Sequence, residues 1–333
     1  MFRLPLFTLI FLCLVGCEQK TQYERLTGFT MGTTYQITLE SQGIDSKKLQ
    51  QQVDDRLIEI NQLMSTYIAD SELMRFNGNQ TTDCIPLSAD TQYVIESAVQ
   101  IAKESNGKFD VTLGPLIEIW GFDKKDTNNQ IPSQETIDNL LETIGTDKIT
   151  VEQSCVAKKL ANLSINLSAI AKGYGVDEIA RIVEAAGSQN YLVEIGGEVI
   201  TKGVNSRQKP WVIAIESATL DQRSIQKTLT PNGLGVATSG DYRNYFEKDG
   251  KRYSHTIDPT TGYPITHNLA SVTVLHPQVM FADAYATAMM VMGPEASLAF
   301  ANRYNLPIFM LVKSSAGFEE VYSEAFKPFL SDL

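Results

Sequence analysis

Residues 191–203, YLVEIGGEVITKG, constrain the fold more than any other stretch. Two runs rich in β-branched and apolar residues are joined by Gly196-Gly197 alone, which is the signature of a tight hairpin. A parallel crossover would need about a dozen residues or more between them. WVIAIES, SVTVLH and PIFMLVKS read as further strands, and FTMGTTYQITLE as strands or a hairpin about a Met-Gly turn. Leu49, Val53, Leu57, Ile60 and Met64 recur at spacings of three and four, which predicts an amphipathic helix over about 46–64. Further helices are expected over about 90–105, from Pro132-Ser133 to Gly145, along VDEIARIVEAAG to a stop at Gly187, and from about Met280 to Met292. LSINL, residues 163–167, reads as a strand leading into the loop SAIAKGYG. Strands come in groups instead of alternating strictly with helices. The expected class is α+β, one domain of mainly antiparallel sheet with packed helices over residues 28–330.

The amino terminus, MFRLPLFTLIFLCLVGC, sets an expected compartment. Arg3 precedes an apolar run, Leu4 to Val15, that is too short for a permanent membrane span. Leu14-Val15-Gly16-Cys17 matches the bacterial lipobox, so residues 1–16 are expected to be a signal peptide and Cys17 a lipidated residue. An ordinary secretory signal cut elsewhere is the alternative. Residues 17–27 then read as a polar tether, and the mature protein would be held at a membrane by its acyl chains. Cys84 and Cys155 could pair in an oxidising compartment or stay free; neither lies in a metal-binding spacing. With 28 basic against 39 acidic residues and a net charge of −11, no nucleic-acid partner is expected.

Four stretches could carry chemistry. In SAIAKGYGVDE a glycine-containing turn before a helix, with Lys172 beside it, suits a phosphate or pyrophosphate, although an ordinary strand-to-helix turn explains it about as well. In MFADAYATAMMVMG, Asp283 and Thr287 are four apart on one helix face, a pair of hard oxygen ligands for Mg²⁺; the plainer reading is a carboxylate near a helix start and a packed threonine. GVATSGDYRNYF offers hydroxyls at Thr238 and Ser239 to a pocket, or is a turn between strands. YSHTIDPTTGYPI places His255, one of three histidines, at a strand end before a rigid Asp258-Pro259 turn, with Asp258 expected within reach. A lone histidine is more often structural than catalytic.

Taken in order, MGTTY, MSTYIADSELMRFN, FDVTLGPLIEIWGF, INLSAIAKGYGVD, YLVEIGGEV, ATSGDY, SHTIDPTTGYP and ADAYATA resemble the ApbE family of flavin transferases over about residues 28–325. The resemblance implies an α+β fold with a cofactor cleft between two halves of one domain. It also implies an enzyme that takes FAD as substrate with Mg²⁺, or Mn²⁺, and moves FMN to a threonine or serine hydroxyl of a target protein, releasing AMP. The implied targets are flavin-carrying subunits of membrane redox pumps, of the Na⁺-translocating NADH:quinone reductase type, or related periplasmic flavoproteins. The implied place is the periplasmic side of a bacterial membrane, the inner one favoured by those targets over the outer.

By position the resemblance assigns Asp283, Thr287 and the Ala169 carbonyl to the metal, although relatives carry threonine at the last of these. Met31 and Tyr67 would flank flavin or adenine, and Lys108, Phe109, Asp110 and Ile257 would meet the dinucleotide. Asn166 stands where many relatives have aspartate, and Lys172, facing the pyrophosphate, where some have glutamate. An incoming hydroxyl needs a base, and His255 or Asp258 would supply it. Two rivals remain: an FAD pyrophosphatase giving FMN and AMP, and a lipid-anchored flavin-binding protein without turnover.

Overall fold

The computed structural model describes residues 22–122, 130–218, 225–231, 233–241 and 245–330; the expected signal at 1–16 and Cys17 lie outside them. The first described segment is a hairpin, β1 (Tyr23–Thr30) and β2 (Thr33–Glu40), closed by Met31-Gly32. Residues 23–27, expected to belong to a polar tether, instead pair in register with β2. Their alternation, with every second side chain turned inward, makes them a half-buried strand and not a linker.

Helices follow as α1 (Ser46–Met64), α2 (Glu72–Gly78) and, after the short β3 (Ile85–Pro86), α3 (Ala89–Glu104). Asp45, Ser71 and Ser88 each accept backbone N–H bonds at the start of one of these helices, satisfying donors that no helix can satisfy itself. The buried face of α1 is Leu49, Val53, Leu57, Ile60 and Met64, as the spacing predicts. Next come α4 (Gly114–Ile119), α5 (Gln134–Leu141), β4 (Ile149–Val151) and β5 (Cys155–Lys158). Helix α5 stops at Leu141, short of Gly145, because the chain turns there and the Gly145 N–H donates to the Thr112 hydroxyl instead, at 2.6 Å. Residues 163–167 form no strand. The side-chain amide of Asn77 occupies both the N–H and the C=O of Ile165, so this stretch is extended but bonded to a side chain and not to a neighbouring strand.

The second half runs α6 (Ala171–Ala185), β6 (Tyr191–Ile195), β7 (Glu198–Lys202), β8 (Ile213–Glu216), β9 (Ile225–Leu229), β10 (Gly235–Gly240), β11 (Tyr245–Lys248), β12 (Lys251–Ser254) and β13 (Leu269–His276). It closes with α7 (Val279–Met292), α8 (Pro294–Tyr304), β14 (Ile308–Ser314) and β15 (Gly317–Tyr322). Gly196 and Gly197 sit at φ 59° and 107°, the left-handed region in which a two-residue turn places them.

One eight-stranded antiparallel sheet, in the order β1-β2-β6-β7-β10-β13-β14-β15, carries the fold. On one face α1 and α6 bury Leu49, Val53, Val176 and Ile179 against Tyr35, Ile37 and Val193, and α7 lies beneath β10 and β13. On the other face β8, β9 and the carboxyl-terminal turn cover Val236, Leu275 and Phe309. A separate apolar cluster of Leu116, Trp120, Ile137, Tyr253 and Ile257 joins α4 and α5 to β12 and the loop after it. Cys84 and Cys155 form a disulfide, with Cα atoms 5.4 Å apart, which settles the pairing left open by the sequence. Among the described residues no helix is long and apolar enough to cross a membrane.

Candidate active site

Helix α7 is apolar around nearly its whole circumference, which is the pattern of a helix enclosed by its own protein. Its charged exception, Asp283, is only 4% exposed. Helix α6 makes room for α7 through Gly173: a Cβ there would lie 2.5 Å from the Val279 carbonyl oxygen and 2.6 Å from the Met280 Cα. The two helices also cap each other. The Gly173 N–H donates to Asp283 Oδ2 at 3.0 Å, while the Asp177 carboxylate accepts from the Val279 and Met280 N–H groups at 2.8 and 2.9 Å. Burial pushes the Asp177 carboxyl up to about 6 despite those two bonds.

Above this contact lies a cavity of about 420 Å³. Asp283 and Thr287 line it from α7, Asn166 and Ala169 from the loop into α6, Lys172 from the first turn of α6, Thr238 and Ser239 from β10, and His255 and Ile257 from the loop after β12. Lys108 and Asp110 complete one wall. A second hollow of about 250 Å³, with Met31 and Tyr67 in its lining, shares Ser168 and Lys172 with the first. Tyr67 is 79% exposed at that mouth.

Electrostatically the floor is dominated by three groups. The Lys172 Nζ lies 3.2 Å from Glu198 Oε1 and 3.7 Å from Asp283 Oδ2, and 29% of the lysine side chain is open. Burial raises the carboxyls of both Asp283 and Glu198, and the Lys172 charge pulls them back only in part. Burial alone would depress the Lys172 ammonium, but the two acids outweigh it and hold it above its ordinary value. The contacts of Asp283 all fall on Oδ2, and Glu198 Oε2 is buried with no hydrogen-bond partner among the described residues. Thr287 Oγ1 stands 3.4 Å from Ser239 Oγ, and Thr238 bonds to Thr273 across the β10–β13 ladder at 2.8 Å.

The other predicted residues divide. Asn166 Oδ1 accepts from the Ser168 N–H at 2.9 Å, folding the loop that presents Ala169. Asp110, raised by burial, accepts from the Thr112 N–H and hydroxyl. Phe109 departs from expectation: its ring is 1% exposed in the main core and is absent from the cavity lining, because the chain alternates and turns Lys108 and Asp110 outward in its place. Asp258 also departs. Its carboxylate is taken by Lys108 Nζ, at 2.9 and 3.0 Å, and by Thr260, so the rigid turn anchors Lys108 and not the imidazole. Burial would raise Asp258, yet the Thr260 bonds and the Lys108 charge hold it below the usual carboxylate range. His255 follows β12 directly, on the cavity wall, with its ring edge-on to Phe122 at 6.5 Å.

Glu198 was missed by sequence reading. The available signal was an acid directly after the Gly-Gly turn, at the start of a strand where a solvent-facing polar residue would be ordinary but Glu198 is buried. The only metal-like grouping of cysteine with acids among the described residues, Cys84, Glu152 and Cys155, is occupied by the disulfide.

The ApbE family profile matches residues 31–310. The chain is 46% identical to the FAD:protein FMN transferase of Vibrio cholerae, over 96% of each sequence. It is 40% identical to the protein of that name from Escherichia coli strain K12, over 95% of this chain and 94% of that one. Flavin transferase ApbE from Vibrio cholerae shares the fold at a TM-score of 0.87 and 44% identity, with 93% of this chain and all of that one covered (100%). The apo form of Pseudomonas stutzeri flavinyl transferase ApbE gives 0.86 at 37% identity, covering 94% and 98%. These likenesses bear out the α+β, mainly antiparallel reading.

Proposed function

The chain belongs to the ApbE family, and on that premise we propose that it transfers FMN from FAD to a threonine or serine hydroxyl of a target protein. The acceptor oxygen attacks the phosphorus of the FMN half, a phosphoester forms, the pyrophosphate P–O bond breaks and AMP departs. The observation that carries this reading is that Asp283, Thr287, Ala169, Lys172 and His255, drawn from three separate stretches of sequence, line one cavity.

The donor set fits a hard divalent cation. Asp283 and Thr287 present oxygens one helical turn apart, Asp283 Oδ1 takes no partner among the described residues, and Ala169 adds a carbonyl from the facing loop. Mg²⁺ or Mn²⁺ held there would neutralise pyrophosphate oxygens and the charge that builds as phosphorus is attacked. Lys172 faces the same phosphates. Met31 and Tyr67 flank a ring of the dinucleotide in the second hollow, and Lys108, Asp110, Asn166, Thr238, Ser239 and Ile257 line the rest of its path. His255 accepts the proton of the incoming hydroxyl, because Asp258 is already committed to Lys108.

Cys17 carries the lipid anchor in this proposal, and the catalytic fold works on the periplasmic face of a bacterial membrane. Its targets are flavin-accepting subunits of membrane redox pumps, of the Na⁺-translocating NADH:quinone reductase type, or kindred periplasmic flavoproteins. Incubating purified protein with FAD and Mg²⁺, with and without an acceptor domain, tests the reaction. Transfer predicts AMP formed one-for-one with protein-bound flavin. AMP with free FMN and no bound flavin would assign a hydrolase instead, and FAD retained with no AMP a carrier.

A further inference from the structure

Lys172 leaves the first turn of α6 and runs past the Gly196 turn, where a Cβ would come within 3.5 Å of its Cδ. Its ammonium then has two carboxylates to choose from, Glu198 at 3.2 Å and Asp283 at 3.7 Å. One ammonium is thus shared between two buried acids. Glu198 Oε2 is buried with no hydrogen-bond partner among the described residues, an arrangement that costs stability and so asks for another explanation. Any divalent cation at Asp283 would share that carboxylate with an ammonium of like sign. The Lys172 charge would then be drawn away, and among the described residues the other acid that pairs with it is Glu198.

We infer that Glu198 is a positioning residue: it holds the Lys172 ammonium off Asp283, so that a divalent cation and the lysine charge occupy the cavity floor together. The inference rests on the cation reading proposed above. It assigns Glu198 no contact with reacting atoms. With Glu198 in place the lysine, now shared between the two acids, has a carboxylate at 3.2 Å to shift onto as a cation takes Asp283, and Lys172 stays charged beside the pyrophosphate. Without it, Asp283 is the lysine's remaining carboxylate, and cation and ammonium compete.

The test is a double-mutant cycle read by Mn²⁺ binding, using electron paramagnetic resonance of the free ion with the FAD-loaded full chain. Glu198→Gln, nearly isosteric, should weaken Mn²⁺ binding about tenfold. In a Lys172→Met background the same change should matter by less than about twofold, because no ammonium is left to compete. Circular dichroism of each variant checks that the fold persists. An undiminished effect of Glu198→Gln beside Met would show that Glu198 acts on the cation through its own charge and would overturn the inference, as would unchanged Mn²⁺ binding in the single variant. Mn²⁺ binding that Asp283→Ala leaves intact would instead sink the cation reading, and this inference with it.

Discussion

The floor and the turn wall of the cavity are held in opposite ways. On the floor, Asp283 and Thr287 take their places from helical register. Helix α7 is in turn locked to α6 by reciprocal caps and by a glycine that admits no side chain. The wall formed by residues 255–264 is held by side chains. Lys108 grips Asp258, the Trp120 indole donates to the Gly262 carbonyl at 2.8 Å, and Trp120 stacks on Tyr253. The floor buries charge and leaves Glu198 Oε2 without a hydrogen-bond partner among the described residues, whereas the wall uses a partly exposed ion pair and an aromatic contact. Placement of the charge-bearing groups is thus expensive and rigid, while the element carrying His255 is tied by bonds that can be cut one at a time.

Substitutions should rank accordingly. Asp283→Ala, at the centre of the floor, is expected to lower transfer by about 10³-fold or more, by loss of the preorganised electrostatics around the phosphorus; activity near the unaltered level would remove Asp283 from the site. His255→Ala should slow transfer about 10²-fold or more while FAD affinity, read by flavin fluorescence, stays close to that of the unaltered chain. Collapse of FAD binding in that variant would make the imidazole a structural or cofactor-binding group.

Smaller effects sharpen the contrast through stability. Gly173→Ala forces a methyl onto the α7 backbone and should destabilise the fold by about 1–3 kcal/mol in denaturant unfolding, with activity lost in step. Lys108→Met removes a partly exposed ion pair and should cost no more than about 1 kcal/mol. If the two substitutions cost the same, the division into rigid floor and adjustable wall fails. Asp258 adds a pH signature of the same small size. Its carboxyl is depressed in the folded state, so its contribution is present above about pH 4, the unfolded value, and is lost as the pH falls through the folded one. Lys108→Met should flatten that acid limb.

How far the sequence carried this picture depends on the range of the interactions involved. Asp283 and Thr287 were legible because four residues make one helical turn, and the face of α1 was legible for the same reason. The hairpin at Gly196-Gly197 was legible because two residues leave the chain one way to turn. Glu198 was not, since its meaning lies in Lys172 on another element, 26 positions away. Asp258 looked like a partner for its neighbour His255, but its partner is Lys108, 150 residues earlier. LSINL has the composition of a strand, and only Asn77, 88 residues upstream, shows why it joins no sheet. Phe109 shares a motif with two cavity residues, but chain alternation sends its ring into the core.

The central claim is that this cavity joins FMN to a protein hydroxyl. Its most direct test is the intact mass of a flavin-acceptor domain after incubation with the purified chain, FAD and Mg²⁺. With the unaltered chain the acceptor should gain the mass of one FMN less water, and with Asp283→Ala it should stay unmodified. An acceptor that stays unmodified with the unaltered chain while FAD is consumed, or one modified equally well by both, would contradict it.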